Sequence, residues 1–407
     1  MKTVLLVGTL DTKGVEYAFV RDLIRAHGHA ALVMDLGVLG EPPFTPDVTA
    51  AEVAREGGAE LARLRVQADR GAAVDAMLAG ARTLVRQMHA EGRFDGVLGL
   101  GGGGGTAMIT AAMRDLPVGV PKVMVSTMAS GNTAPYVDVK DITMMYSVVD
   151  IAGLNPLSRR VLANAAGAII GMVEQVLAPS ADRPLIAATM FGVTTPCVTE
   201  ARRRLEAAGY EVLVFHATGS GGRAMEGLIA DGYFAGVLDV TTTEWCDEVV
   251  GGVLSAGPDR LSAAGRAGIP QVVSVGALDM VNFGAFDSVP RRFDARTLYR
   301  HNPSVTLMRT TPDECREIGR RIAEQLNRAT GSVSVLLPLR GVSMIDAPGQ
   351  PFHDPAADQA LFEALRRHLD PRVRVRELDA HINDLEFAHA LADELLTLLP
   401  AATHASP

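Results

Sequence analysis

A chain of 407 residues is longer than one ordinary domain, so two domains of roughly 200 residues each are expected. Hydrophobic residues make up 48% and aromatics only 5%, so Ala, Val, Leu and Gly must fill the core, which suits helix-on-sheet layers better than a β-sandwich. A formal net charge of -9 and the lack of a basic helix face argue against a nucleic-acid partner, and no apolar stretch approaches the roughly 20 residues of a membrane-spanning helix.

Short β-branched runs alternate with amphipathic helices from the start. The pattern predicts a strand Thr3 to Val7, a helix Val15 to Ala26, a strand Ala31 to Asp35, a helix Gly71 to Glu91, a strand Gly96 to Leu100, a helix Gly105 to Arg114 and a strand Lys122 to Ser126. This is the order of a parallel, doubly wound α/β sheet. The opening MKTVLLVGTLDTKG is too short in its apolar run for a signal peptide and reads as a first buried strand. Three widely spaced cysteines, Cys197, Cys246 and Cys315, give neither a disulfide framework nor a zinc spacing, so a cytoplasmic location is expected. A strand Ile142 to Tyr146 precedes a long helix Pro156 to Leu177, after which APSADRP at 178–184 reads as a linker. The expected domains are 1–180 and 181–407.

The second half repeats the first. VLLVGTLDTKGVEYAFVRDLIRAHGHAALVMDLG and PLIAATMFGVTTPCVTEARRRLEAAGYEVLVFHATG share the order strand, turn, helix, Gly, strand. FDGVLG at Phe94 matches FAGVLD at Phe234, VPKVMV at Val120 matches IPQVVS at Ile269, and ITMMY at Ile142 matches VTLMR at Val305. Two related, Rossmann-like parallel-sheet domains facing each other across a cleft are expected. Further strands at Val333 to Pro338 and Arg372 to Glu377, with helices Pro355 to His368 and Asp384 to Leu399, make the second domain the larger.

In such sheets a ligand sits beyond the carboxyl ends of the strands, at helix N-termini. Three first-half loops fall there. Gly8-Thr9-Leu10-Asp11-Thr12-Lys13-Gly14 follows the first strand, with Lys13 in reach of a phosphate and Asp11 or Thr12 able to cap a helix. Gly101-Gly102-Gly103-Gly104-Gly105-Thr106 follows the strand at Gly96, and successive N–H groups free of side chains can form an anion nest. No Gly-Lys-Ser or Gly-Lys-Thr follows, so this is no P-loop. Ser130-Gly131-Asn132 lies after the next strand and offers a hydroxyl and an amide.

The matching second-half loops differ. His216-Ala-Thr-Gly-Ser-Gly-Gly-Arg223 places an imidazole beside a second potential nest, and Asp239-Val-Thr-Thr-Thr-Glu244 gathers hydroxyls and carboxylates suited to a divalent cation or acid–base work. His301, His353 and His381 occupy later loop positions. Together His216, Glu244, His301 and His381 form the candidate catalytic set, and no metal ligands are assigned. Helix capping and solvated surface account for each of these residues taken alone.

GTLDTKG, GLGGGGGT, STMASGNT, FHATGSGGRAME, LDVTTTEW, GALDMVNFG and DAHIND together resemble an uncharacterised bacterial family related to the amino-terminal ATP-binding domain of the tomato mosaic virus resistance protein. The resemblance spans nearly the whole chain. It implies a two-part α/β fold, ATP binding and a homodimer. Nucleotide binding carries over to Gly8–Gly14, Gly101–Thr106 and Ser130–Asn132, with Mg²⁺ accompanying the phosphates. The alternative is a metal-assisted hydrolase or lyase acting on a small carboxylate or oxo-acid, served by the four second-half residues.

Overall fold

The chain divides into two units, Met1–Pro179 and Ser180–Pro407. The computed structural model describes residues 1–67, 69–178 and 182–399; part of the expected linker at 178–184 lies outside them.

Unit 1 runs β1 (Thr3–Gly8), α1 (Leu10–Ala26), β2 (Ala30–Asp35), α2 (Ala50–Glu56), α3 (Leu61–Gln67), α4 (Arg70–Ala90), β3 (Gly96–Gly101), α5 (Gly103–Arg114), β4 (Lys122–Ser126), α6 (Ala134–Val137), β5 (Thr143–Tyr146) and α7 (Pro156–Glu174). Its five strands pair in parallel in the order β2-β1-β3-β4-β5. Alternate residues of β1 serve opposite faces, as a strand buried on both sides requires. Val4 and Leu6 join a core under α1 and α7, while Leu5 and Val7 join one under α2, α4 and α5. The sequence pattern passes over α2 and α3, whose seven-residue lengths are too short for a periodic signal.

Unit 2 runs β6 (Leu185–Met190), α8 (Thr195–Ala207), β7 (Glu211–His216), α9 (Ser220–Ala230), β8 (Gly236–Thr241), α10 (Glu244–Val250), α11 (Ala263–Ala267), β9 (Gln271–Gly276), β10 (Met280–Phe283), β11 (Leu298–Asn302), β12 (Val305–Arg309), α12 (Pro312–Leu326), β13 (Val333–Pro338), α13 (Pro355–His368), β14 (Arg374–Leu378) and α14 (Leu385–Leu398). Six strands form a parallel sheet ordered β14-β13-β9-β8-β6-β7, and β10, β12 and β11 form a separate antiparallel sheet. The parallel order repeats that of unit 1 and extends it by one strand. One pairing read from the repeat is corrected: Val305–Arg309 is not the counterpart of β5. That place beside the fourth strand belongs to β13, and β12 instead pairs antiparallel with β11, which a short turn joins to it, and with β10.

Unit 2 buries a large amount of charge. Arg309, at the end of β12, donates to Asp358 (2.7 Å) and to the Phe352 carbonyl (2.7 Å), with Asp346 at 3.6 Å. Asp279 and Asp346 are fully buried and Asp358 nearly so. One guanidinium cannot balance three carboxylates. Burial, then the other carboxylates, pushes Asp346 up to about 9, and burial pushes Asp279 up to about 6. Elsewhere burial raises Asp247 to about 7, although it accepts from Asn282 Nδ2 (2.8 Å) and Asn282 N (3.0 Å).

These carboxyls hold protons in the folded protein that the unfolded chain releases near pH 4. Their contribution to stability is therefore present below about pH 4 and is lost as pH rises through the folded values, towards pH 9. We expect the urea midpoint of unit 2 unfolding to fall steadily from pH 5 to pH 9, and the fall to be shallower in Asp346→Asn. An unchanged slope in that variant contradicts the assignment.

Candidate functional site

An open parallel sheet leaves a crevice where neighbouring strands send their connections to opposite faces. In unit 1 that place lies between β1 and β3, since α1 and α5 pack on opposite faces. Tyr17 holds the strand ends there. Its hydroxyl donates to the Val7 carbonyl (2.5 Å) and accepts the Leu100 N–H (2.7 Å). Burial raises the phenol far above its ordinary value, which keeps it neutral.

The helices around this point begin in two ways. Thr49, Asp69 and Asn155 cap α2, α4 and α7 with their side chains, satisfying first-turn N–H groups. The N-cap residues of α1 and α5, Thr9 and Gly102, supply no side-chain cap. In α1 the gap is partly closed from outside, because Asp35 Oδ1 accepts Leu10 N (2.9 Å) and Gly37 N (2.8 Å).

The glycine run is not a free loop. Gly101 ends β3, Gly102 is the N-cap and Gly103, Gly104 and Gly105 form the first turn of α5. Its glycines divide by what a Cβ would meet. At Gly101 it would lie 2.8 Å from Thr106 N, and one strand turn earlier, at Gly99, 2.4 Å from Ile109, so these two serve packing. At Gly102, Gly103, Gly104 and Gly105 it would meet nothing closer than 3.7 Å. None of the five has a positive φ. Neither space nor backbone conformation therefore requires glycine at 102–105, although glycine inside the helix, at 103–105, costs up to about 1 kcal/mol per residue relative to alanine.

A cavity of about 520 Å³ opens beside this turn. Thr9, Asp11 and Thr12 border it on the α1 side, Gly104 and Gly105 on the α5 side, and an apolar wall includes Leu64, Val74 and Met77. Arg70, the first residue of α4, also borders it. A Cβ on Gly104 would lie 3.7 Å from its Nη2, and among the described residues its guanidinium has no hydrogen-bond or ion-pair partner. On the opposite side, Thr127 and Met128 from the loop after β4 flank Gly102 and Gly103.

Several expected roles change. The Gly8–Gly14 segment is largely the first turn of α1, and its two glycines serve packing: a Cβ on Gly8 would lie 1.8 Å from Tyr17 Oη, and one on Gly14 2.3 Å from Pro43. Lys13 donates to the Ile151 carbonyl (2.9 Å) and does not border the cavity. Thr106 is buried, its hydroxyl 2.6 Å from Ser126 Oγ, so it braces α5 on β4. Ser130, Gly131 and Asn132 are exposed outside the cavity, and Asn132 accepts the Ala134 N–H (3.1 Å).

Unit 2 does not assemble the expected catalytic set. Glu244 is fully buried: its Oε1 accepts Gly219 N (2.7 Å) and Gly222 N (3.1 Å) at the start of α9, and its Oε2 accepts Arg260 Nε (2.7 Å). The second potential nest is thus filled by the protein's own carboxylate, and a Cβ on Gly222 would lie 2.2 Å from it. Arg260 also binds Asp239 (2.5 and 2.7 Å), so the Asp239–Glu244 segment is an internal ion network. His216 ends β7 at one edge of the sheet, its exposed ring against Phe191. His381 follows β14, from the other edge; its Nδ1 accepts Asn383 N (3.1 Å) and its Nε2 donates to the Ser343 carbonyl (2.9 Å), which leaves neither nitrogen for catalysis. His301 is exposed on β11 of the antiparallel sheet, and His353 is exposed beside the same cavity as His381. Burial raises the Cys246 thiol well above its ordinary value, so it is no ready nucleophile. Among the described residues no group of three or more His, Cys, Asp or Glu side chains is placed to hold a metal ion.

The two units coincide with two family models: the N-terminal domain of the uncharacterised protein family UPF0261 matches residues 2–178, and its C-terminal domain matches 183–399. The chain belongs to this family. It is 53% identical over 401 residues to a UPF0261 protein of Clostridium tetani (strain Massachusetts / E88), covering 98% of this chain and 99% of the relative. It is 47% identical over 343 residues to the ToMV resistance protein Tm-1(GCR237) of Solanum lycopersicum, covering 82% of this chain and 46% of the tomato protein. Among solved structures, MurG of Acinetobacter baumannii aligns with 98% of this chain and 100% of its own at 12% identity, with a TM-score of 0.22.

Sequence motif reading found the glycine run but missed Arg70 and Tyr17, because neither sits in a motif; only the fold brings them to the end of β3. The division of the glycines makes opposite forecasts. Gly8→Ala should destabilise unit 1 by about 1–3 kcal/mol through overpacking against Tyr17, whereas Gly103→Ala should leave its unfolding midpoint unchanged or raise it. Urea denaturation followed by circular dichroism separates the two, and equal destabilisation would remove the distinction.

Proposed function

We propose that this protein binds a nucleotide, ATP being the first choice, with its phosphates on the first turn of α5 and its nucleoside in the adjoining cavity. The observation that carries this reading is the stretch Gly102–Gly105, four glycines that neither packing nor backbone conformation requires. A bound anion supplies the missing reason: it must approach the backbone closely, and it accepts the uncapped N–H groups while meeting the positive end of the helix dipole. Arg70 adds a guanidinium suited to bidentate phosphate contact. The cavity lies in the size range of small-molecule sites, and its wall is apolar on one side and polar on the other, as a nucleoside phosphate demands. The resemblance of the sequence motifs to an ATP-binding domain points the same way. Mg²⁺ enters on this reading with the nucleotide, held by phosphate oxygens, and would screen their charge.

A ligand of the folded state raises its melting temperature by mass action, by about 2.7 kcal/mol of stability at a hundred times its Kd. Mg-ATP is expected to raise the transition of unit 1. Gly103→Val should abolish that rise while melting at the same temperature as the parent without ligand, and Arg70→Ala should weaken ATP binding about tenfold or more. An undiminished ATP shift in Gly103→Val would rule out the glycine turn as the phosphate site. Phosphate release assayed on the same protein decides whether ATP is hydrolysed.

A further inference from the structure

In dinucleotide-binding sheets an acid at the end of the second strand reads the ribose hydroxyls. Asp35 stands at that place, ending β2, yet it is buried and its Oδ1 already accepts Leu10 N (2.9 Å) and Gly37 N (2.8 Å). Through that oxygen it ties the start of α1 to the end of β2, and it does not border the cavity. Asp11, the second residue of α1, reaches over the same point. Its Oδ2 accepts Leu39 N (2.7 Å) from the segment after β2, and a Cβ on Gly37 would lie 2.6 Å from its Cγ, so Gly37 makes room for this carboxylate. Asp11 borders the cavity, and its Oδ1 is shielded from solvent with no donor among the described residues.

We infer that Asp11 is the ribose-reading residue, taking the place that Asp35 has given up to the fold; this rests on the nucleotide reading. A carboxylate with one oxygen committed to Leu39 and one without a donor matches a ribose, whose 2′- and 3′-hydroxyls both donate. A turn of the carboxylate about its soft terminal torsion moves both oxygens, so it gives up the Leu39 N–H as it presents the unpartnered oxygen to the cavity. The ribose then lies over the end of β2, with the phosphates on the first turn of α5 and the base against the wall that includes Leu64, Val74 and Met77.

The test is isothermal titration of the full chain with Mg-ATP, with Mg-2′,3′-dideoxy-ATP and with tripolyphosphate, which has no nucleoside. The parent protein should bind ATP about tenfold or more tightly than the dideoxy nucleotide. Asp11→Ala should bring the two within about twofold of each other and leave tripolyphosphate unaffected. Asp11→Asn keeps an oxygen for Leu39 N–H and should also lose most of the preference, which guards against a folding defect in the alanine variant. Equal binding of ATP and the dideoxy nucleotide by the parent, or a preference that survives both substitutions, overturns this role for Asp11 alone. If no nucleotide binds, the nucleotide reading falls and this assignment falls with it.

Discussion

The first turn of an α-helix carries N–H groups that nothing within the helix can accept, and each needs an acceptor from elsewhere. The two units meet this demand differently. At α9 a buried glutamate, Glu244, comes from the start of α10, accepts Gly219 N and Gly222 N, and is itself held by Arg260. At α5 no such acceptor stands among the described residues: Gly102 has no side chain to give, and the turn borders open space beside Arg70. The contrast makes the α5 turn informative. A buried carboxylate can thus close such a turn from within, whereas α10, which follows β8 as α5 follows β3, starts like α5 without a side-chain cap.

The second unit bears a cost for its internal solution. Arg260 is surrounded by Asp239, Glu244 and Glu226, and burying so much charge is compensated only when every partner is present. Replacing Glu244 would leave α9 uncapped and remove one of the carboxylates that balance the buried guanidinium. The same unit holds Arg309 among three aspartates, where protons instead of further cations supply the balance. Its polar residues, rich in carboxylates and hydroxyls, resemble catalytic machinery in sequence because buried ion networks and active sites draw on the same residue types.

That overlap explains what could be read from the sequence. The strand and helix order of both parallel sheets follows from periodicity, and the repeat is visible because β6, β7, β8 and β9 keep the spacing of β1, β2, β3 and β4. The match fails at Val305–Arg309, where composition is alike but β12 pairs antiparallel in a separate sheet, because a strand's residues do not name its partner. At the site, Gly101–Gly105 could be found as a motif, but its division into packing and open glycines could not. Gly99 and Gly101 are constrained by Ile109 and by the α5 backbone, contacts that exist only once the helix lies on the strand. Glu244 and Lys13 are illegible for the same reason, because a charged residue in a loop carries no mark of whether its partner is a ligand or a neighbouring group of the protein.

The glycine distribution finally constrains how the α5 turn could have come about. Had the run served only to join β3 to α5, a residue such as Asp or Ser at 102 would cap the helix and stabilise it by a few tenths of a kcal/mol, and alanine at 103–105 would add more. Space permits all of these changes, and the backbone angles permit them too. A Ser or Asp at the cap would, however, direct its own oxygen at the N–H groups an incoming anion needs, much as Glu244 occupies the start of α9. The uncapped glycine turn is thus less stable in isolation and better prepared for an external acceptor. That exchange of stability for access is the physical pattern expected of a binding turn.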